Sequence, residues 1–228
     1  MSEITAEIQA ICDKIKEGDI DYMMDTFRLK PELLIERVNG DTFLHIAASC
    51  DKKEIVDFFM LRGIGVNEKN ERGEAPIHKA VSKECLELLL SRGADINAKD
   101  SKGRTFVHNG ALYNNCPLVD YMALKGADLN AKTVNGVTPL MQAVAGGHLK
   151  MIELLISMGA DANIQDEFGD TAVHSAVLYE NPEIVKLLAL HGADVNIKNN
   201  DGITPLGEAH SKNLMRIMQL LIQFGGKE

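Results

Sequence analysis

The chain has 228 residues and a formal net charge of −9, which argues against general binding to nucleic acid or anionic membranes, because both require a basic face. Aromatic residues make up only 5% of the sequence and tryptophan is absent, so we expect an aliphatic core of Leu, Ile, Val, Ala and Met. We find no signal peptide and no apolar run long enough to span a membrane. The cysteines at positions 12, 50, 85 and 116 form no CxxC pair, which predicts reduced thiols in a cytoplasmic protein.

Residues 1–37 predict two helices, at about Thr5–Lys16 and Ile20–Leu29, and Pro31 ends the second. The first helix has an apolar stripe at helical spacing, formed by Ile4, Ile8, Ile11 and Ile15. One side of this pair is apolar and the other is charged. We therefore interpret residues 1–37 as a degenerate repeat that caps the array following it.

Six similar units follow, with predicted bounds of 38–70, 71–100, 101–133, 134–166, 167–199 and 200–228, and we expect them to form one continuous domain. Each unit predicts an inner helix, which begins at a Thr-Pro-Leu-His-like motif, and an outer helix. The second unit lacks three residues between Ala80 and Cys85, so we expect a kink or a truncated inner helix there. The last helix is expected to have the polar side that a C-terminal cap requires, formed by Lys212, Arg216, Gln219 and Gln223.

Two series of glycines keep a common period along these units. One glycine stands in the turn that precedes each inner helix, at positions 40, 73, 103, 136, 169 and 202, and four of the five intervals are 33 residues. The other series follows the outer helices, at positions 63, 93, 126, 159, 192 and 225. A period near 33 with a Thr-Pro-Leu-His-x-Ala-like motif, clearest from Asn135 to Asp166, resembles the ankyrin repeat family.

The resemblance implies an all-α solenoid of stacked helix-turn-helix units with short β-hairpin-like loops. It also implies a non-enzymatic module that binds a protein partner, whose identity the sequence does not give, and that acts as an adaptor or an enzyme inhibitor. We expect a monomer that binds neither nucleic acid nor membrane. No P-loop, GxSxG, HExxH or dinucleotide motif occurs, so we assign no catalytic, metal-binding or cofactor-binding residues and expect no cofactor.

Histidine recurs in successive units, at His45, His78, His108 and His174. One interpretation is an array for metal or acid–base chemistry. The other, which we favour, is that each histidine bonds the threonine or the backbone of its own turn, because residues one repeat apart do not converge on one metal ion. His78 has Ala75 in place of the threonine, so its partner is the least certain.

Partner-binding residues can be assigned from the resemblance, which implies that the inner helices and the turns before them form a concave binding groove. The candidates that carry exposed apolar or polar side chains there are Leu112, Tyr113, Gln142, Phe168, Leu178 and Tyr179. Aromatic side chains that a fold does not require are frequent interface residues. The alternative is that Tyr113 and Tyr179 lie down on their turns and only cover them.

Charge in these turns changes sign along the chain. The early turns are basic and include Lys99, Lys102 and Arg104, whereas the later turns carry Asp166, Glu167, Asp170 and Asp201. Either these charges are solvated surface charges with no role in binding, or the early turns face an acidic area of the partner.

The sequence is compatible with two further functions. One is a small-ligand site or a metal-dependent enzyme in the groove, which would need polar groups that converge. The other follows from the resemblance, since asparagines in the Gly-Ala-Asp-x-Asn loops of ankyrin repeats are targets of hydroxylation, and Asn97 and Asn163 match that position best.

Overall fold

The computed structural model describes residues 3–228, and every regular element in that range is helical. The α-helices are α1 (Glu3–Glu17), α2 (Ile20–Leu29), α3 (Phe43–Ser49), α4 (Lys53–Leu61), α5 (Lys83–Ser91), α6 (Phe106–Leu112), α7 (Cys116–Leu124), α8 (Pro139–Ala145), α9 (Leu149–Ser157), α10 (Ala172–Leu178), α11 (Pro182–Leu190), α12 (Pro205–Ser211) and α13 (Met215–Gln223). Two 3₁₀ helices span Pro31–Ile35 and Pro76–Lys79. Within the described range the only β-type pairing is a single bridge between Val38 and Asp41. The chain forms two compact units, Met1–Ser101 and Lys102–Glu228, which we describe separately.

The first unit begins with the predicted pair of helices, α1 and α2. Ile11 and Ile15 of the predicted stripe are fully buried, Ile8 is half-buried, and the side chain of Ile4 lies outside the described residues. Helix α1 packs against α2 and α3, as a capping helix should. Lys30, just after α2, forms an ion pair with Glu7 at 2.6 Å.

The core of the first unit combines aliphatic side chains with a cluster of phenylalanines, which the expectation of an aliphatic core did not include. Phe27, Phe43 and Phe59 are almost completely buried, and Phe58 packs beside them. Ring centroids of Phe27 and Phe59 lie 5.5 Å apart at an angle of 81°, and those of Phe43 and Phe59 lie 5.7 Å apart in a stacked arrangement. Four of the seven phenylalanines in the chain therefore lie in one cluster, which a whole-chain percentage cannot reveal.

The second repeat has the truncated inner helix that its missing residues predict. In place of an α-helix it has one 3₁₀ turn, Pro76–Lys79, after which Ala80 is extended. Ser82 then caps α5 by accepting a hydrogen bond from the backbone N–H of Cys85 at 3.0 Å.

The second unit is a regular stack of helical pairs. The inner helices α6, α8, α10 and α12 pack in series, and the outer helices pack as α7 with α9 and α11 with α13. Each inner helix packs against the outer helix that follows it. In the Leu154-Leu155 and Leu187-Leu188 pairs only the second leucine is buried, because the two neighbours point to different sides of the helix.

The turns before the inner helices, which we call the tips, are joined by backbone hydrogen bonds at a constant register. In the second unit the carbonyl oxygens of Lys102, Asn135 and Phe168 accept from backbone N–H groups of the following tip at 2.9–3.0 Å. Gly136 has a φ of 77°, and a Cβ atom there would lie 2.8 Å from backbone atoms of Asp166 and Glu167. Only glycine allows this approach, so Gly136 sets how closely the tip carrying Phe168 packs on its neighbour.

One residue of the predicted C-terminal polar side was misplaced. Lys212 is the C-cap of the inner helix α12 and forms an ion pair with Glu208 at 3.0 Å, so it is not part of α13. Arg216, Gln219 and Gln223 do lie on the exposed side of α13. Among the described residues no helix is both long and apolar enough to cross a membrane.

Candidate functional site

Two neighbouring hollows open beside the tips of the second unit. The acidic hollow has a volume of about 300 Å³ and is lined by Val137, Met141, Gln142, Ala145, Asp166, Phe168, Asp170, Ser175, Leu178 and Tyr179. The basic hollow has a volume of about 510 Å³ and is lined by Lys102, Arg104, Thr133, Asn135, Val137, Gln142, Glu167 and Phe168. Val137, Gln142 and Phe168 line both hollows, so the two form one groove, which we call the tip groove.

Phe168 stands between the two hollows on the tip before α10. Its side chain is 63% exposed, and its backbone is fixed on both sides. The Phe168 N–H donates to Oδ1 of Asp166 at 2.9 Å, and its carbonyl oxygen accepts from the N–H of Asn200 at 2.9 Å. An apolar ring is thus held in solvent on a rigid turn, and the fold gains little from it, because burial is what makes an aromatic side chain stabilising.

Leu178 and Tyr179 enter the acidic hollow from the end of α10. Tyr179 is the C-cap residue of that helix and is 54% exposed, while Leu178 is 51% exposed. Tyr113, the corresponding C-cap residue of α6, is 78% exposed. Both tyrosine side chains are more exposed than buried, which favours an interface role over the interpretation that they only cover their turns.

Not all the predicted residues lie together. Gln142, Phe168, Leu178 and Tyr179 meet in the acidic hollow, and Lys102 and Arg104 line the basic hollow. Leu112 and Tyr113 line neither hollow, although the Leu112 carbonyl oxygen accepts from Nε2 of His148 at 3.0 Å. Lys99 belongs to the first unit, where its carbonyl oxygen accepts from Nζ of Lys69 at 2.9 Å.

The structure adds residues that the sequence analysis did not single out. Val137, Met141, Thr133 and Asn135 line the groove between the charged ends. Val137 and Asp170 occupy the same position in successive tips, directly after the tip glycine. Comparing the residue that follows the tip glycine across repeats would have identified Val137 from the sequence.

Charge is separated along the tip groove. Asp166 and Asp170 are the charged residues that line the acidic hollow, whereas Lys102, Arg104 and Glu167 line the basic hollow. Oδ1 of Asp166 accepts from the backbone N–H of Asp170 at 3.0 Å, and Oδ1 of Asp170 accepts from Nδ2 of Asn199 at 2.9 Å. Glu167 is bonded to Nδ2 of Asn135. These bonds fix the positions of the carboxylates.

The recurring histidines are structural, as the favoured interpretation predicts. In His108 and His174, Nδ1 accepts from the backbone N–H of Thr105 and Thr171 at 3.1 Å, and each threonine hydroxyl lies 2.9–3.0 Å from the same atom. Their Nε2 atoms donate to carbonyl oxygens of the next tip at 3.1 Å. In His78, Nδ1 accepts from the backbone N–H of Ala75 at 3.0 Å, and Ala75 stands where the other repeats have threonine. Both ring nitrogens of His108 and His174 are thus used by the fold.

The buried carboxylate of Glu74 in the first unit is also held by bonds within the fold. Glu74 lies 2.7 Å from Nζ of Lys79 and accepts from Nδ2 of Asn70 at 2.9 Å. Burial raises the pKa of the Glu74 carboxyl, but the bonds from Asn70 and Lys79 and the nearby charge of Arg72 outweigh it and lower the pKa to about 2. The Glu74 carboxylate is thus held by side chains from its own repeat and from the end of the preceding one.

The cysteines and the metal-ligating residues give no second site. Burial raises the pKa of Cys85 to about 12 and also raises the pKa of Cys12, so both thiols are poor nucleophiles. Within residues 3–228 no three His, Cys, Asp or Glu side chains are placed to hold one metal ion.

The loop asparagines that match the hydroxylation position are hydrogen-bonded within their loops, and Asn163 also links its repeat to the next. The backbone N–H of Asn163 donates to Oδ1 of Asp161 at 2.8 Å, and Oδ1 of Asn163 accepts from the backbone N–H of Asp194 at 2.8 Å. The backbone N–H of Asn97 donates to Asp95 in the same way, at 2.9 Å. Each asparagine therefore has a structural use in its loop.

Comparison with known proteins agrees with this architecture. A family model described as ankyrin repeats (3 copies) matches residues 12–100 and 107–199, and a second, ankyrin repeats (many copies), matches residues 82–123. An ankyrin repeat domain from Acinetobacter baumannii AYE is 28% identical with a TM-score of 0.72, covering 81% of this chain and 98% of that one. The ankyrin repeat domain of Bcl-3, described as a unique member of the IkappaB protein family, is 28% identical with a TM-score of 0.81, covering 93% of this chain and 97% of that one. No curated protein sequence was found to match.

Helical pairs in series, with an open groove beside their tips, define a helical-repeat binding scaffold. The chain belongs to the ankyrin repeat family, and its fold class is the all-α ankyrin-repeat solenoid. Ankyrin repeats are generally protein–protein interaction modules, and the family is typically non-enzymatic.

Proposed function

We propose that this chain is a non-enzymatic module that binds a protein partner through the tip groove and acts as an adaptor or an enzyme inhibitor. The observation that carries the proposal is the pair Phe168 and Tyr179. Both aromatic side chains are more than half exposed, line the same hollow, and are held by the ends of short, well-capped elements. Exposed aromatic anchors in a concave site are typical of binding hot spots.

The proposed module consists of the six repeats from residue 38 onwards, capped by residues 1–37. We also propose that it works as a monomer in the cytoplasm and does not bind nucleic acid. The net charge of −9 supports the absence of nucleic-acid binding, and the four free cysteines support the cytoplasmic location.

The test is affinity capture from a lysate of the source cell, with wild type compared with the variant Phe168→Ala, Tyr179→Ala. The control variant is Leu124→Ala, Leu190→Ala, because these leucines are 70% and 61% exposed on the outer helices α7 and α11. We expect one protein that wild type and the control retain and the groove variant loses. A partner lost equally with the control variant would contradict the proposal.

A further inference from the structure

We propose that the occupant of the tip groove is a protein segment in which a large apolar residue separates an acidic end from a basic end. This inference rests on the function proposed above and deepens it. It follows from the order of charge along the groove, which is basic at Lys102 and Arg104, apolar at Phe168 and Val137, and acidic at Asp170.

The apolar centre supplies the anchoring contact. Phe168 and Val137 line both hollows, and Leu178 and Tyr179 extend the apolar wall in the acidic hollow. One Leu, Met or aromatic side chain of the partner placed here would cover Phe168 from solvent. Removing such exposed apolar area from water is the main source of affinity in the complex.

The charged ends select the orientation. At the basic end Lys102 and Arg104 line the groove beside Glu167 and can attract carboxylates of the segment. At the other end Asp166 and Asp170 line the groove, and hydrogen bonds to the backbone and to Asn199 hold their side chains in place. A segment with acidic and basic ends in this order is attracted at both ends, and a segment with one charge throughout is repelled at one end.

The repeat register fixes this order. Lys102, Asn135, Phe168 and Asp201 occupy the same position, directly before the tip glycine, in four successive repeats. Backbone hydrogen bonds at 2.9–3.0 Å join each of these tips to the next. The charge order is therefore part of the rigid stack and does not depend on mobile side chains alone.

The test is selection from a phage-displayed library of random 12-residue peptides on immobilised wild-type protein. We expect enriched peptides with acidic residues on one side of a large apolar residue and Lys or Arg on the other. The same peptides should bind the variant Lys102→Glu, Arg104→Glu roughly tenfold more weakly, a size typical of two partly exposed charge pairs.

A matched control is the variant Lys150→Glu, Lys186→Glu, which makes the same change in net charge on the exposed faces of α9 and α11 and should leave peptide affinity unchanged. Enriched peptides without the charge order, equal weakening by both variants, or no enriched peptide at all would overturn the inference. So would sedimentation showing that the groove binds a second copy of this chain. The function proposed above fails separately, when the captured partner is insensitive to the loss of Phe168 and Tyr179.

Discussion

The Nε2 atom of His45 lies 2.8 Å from the backbone carbonyl oxygen of Glu74, the residue that follows the next tip glycine. On the other side of the ring, Nδ1 accepts from the backbone N–H of Thr42 at 3.3 Å, so Nε2 carries the proton and donates. His45 is fully buried. One imidazole therefore closes its own turn and ties it to the following repeat.

The substitution His45→Ala should lower the free energy of unfolding by about 2–4 kcal/mol, because it leaves the buried backbone N–H of Thr42 unpaired, removes one of the two hydrogen bonds to the Glu74 carbonyl oxygen and opens a cavity. Urea unfolding followed by circular dichroism measures the change. The control is His191→Ala, since His191 is exposed and bonds only the Leu187 carbonyl oxygen of its own helix. We expect a change below about 0.5 kcal/mol there, and equal losses in the two variants would contradict the account.

Mild acid should destabilise the protein through the same residue. Burial lowers the pKa of His45 below its usual value, so the unfolded chain binds the proton more readily. The contribution of His45 is complete above the unfolded pKa of about 6.5 and decreases as the pH falls below it. Unfolding free energies measured between pH 7.5 and pH 5.5 should therefore fall more steeply for wild type than for His45→Asn. Identical slopes would show that His45 does not titrate on unfolding.

A second loss of stability should appear in stronger acid. The folded pKa of Glu74 is about 2 against an ordinary value of 4.5, so its ionised form stabilises the fold above about pH 4.5 and this contribution is lost as the pH falls towards 2. At about 1.4 kcal/mol per pKa unit, the effect is at most about 3–4 kcal/mol. Titrating the stability of Glu74→Gln should remove this step, whereas Glu87→Gln, on the exposed side of α5, should retain it. A step that persists in Glu74→Gln would rule out this assignment.

The same substitution at two phenylalanines should separate a core role from a surface role. Phe59→Ala should cost about 3–5 kcal/mol, because Phe59 is fully buried and contacts the rings of Phe27, Phe43 and Phe58. Phe168→Ala should change stability by less than about 0.5 kcal/mol, because the side chain is 63% exposed. Thermal unfolding of both variants gives the comparison. A large loss from Phe168→Ala would mean that this ring is needed for folding, which would remove the main argument for a binding role.

Most of the fold could be predicted because each repeat carries its own local signals. The two glycine series bracket the helical pairs of the repeats, and the missing residues before Cys85 predicted a kink or a truncated inner helix, which the structure shows as a single 3₁₀ turn at Pro76–Lys79. The phenylalanine cluster could not be predicted, since side chains from α2, α3 and α4 meet there only after the helices have stacked. Lys212 was misplaced because the boundary between α12 and α13 carries no proline or glycine.

The candidate site could be predicted only in part, for a similar reason. Position in the repeat frame identified Phe168, Leu178 and Tyr179, and these side chains do line one hollow. The same frame selected Leu112 and Tyr113, which line neither hollow. The position of a residue within the repeat predicts which face of the repeat it occupies. It does not predict which neighbouring side chains are large enough to form the walls of a hollow.

The central claim is that a protein partner contacts the tip groove at Phe168. The most direct test replaces Phe168 by the photo-cross-linking residue p-benzoylphenylalanine, with Leu124 replaced in a parallel variant, and irradiates both in the source cell. We predict one cross-linked protein from position 168, absent from position 124 and lost when Tyr179→Ala is added. A cross-linked partner found only from position 124, or none from position 168, would contradict the claim.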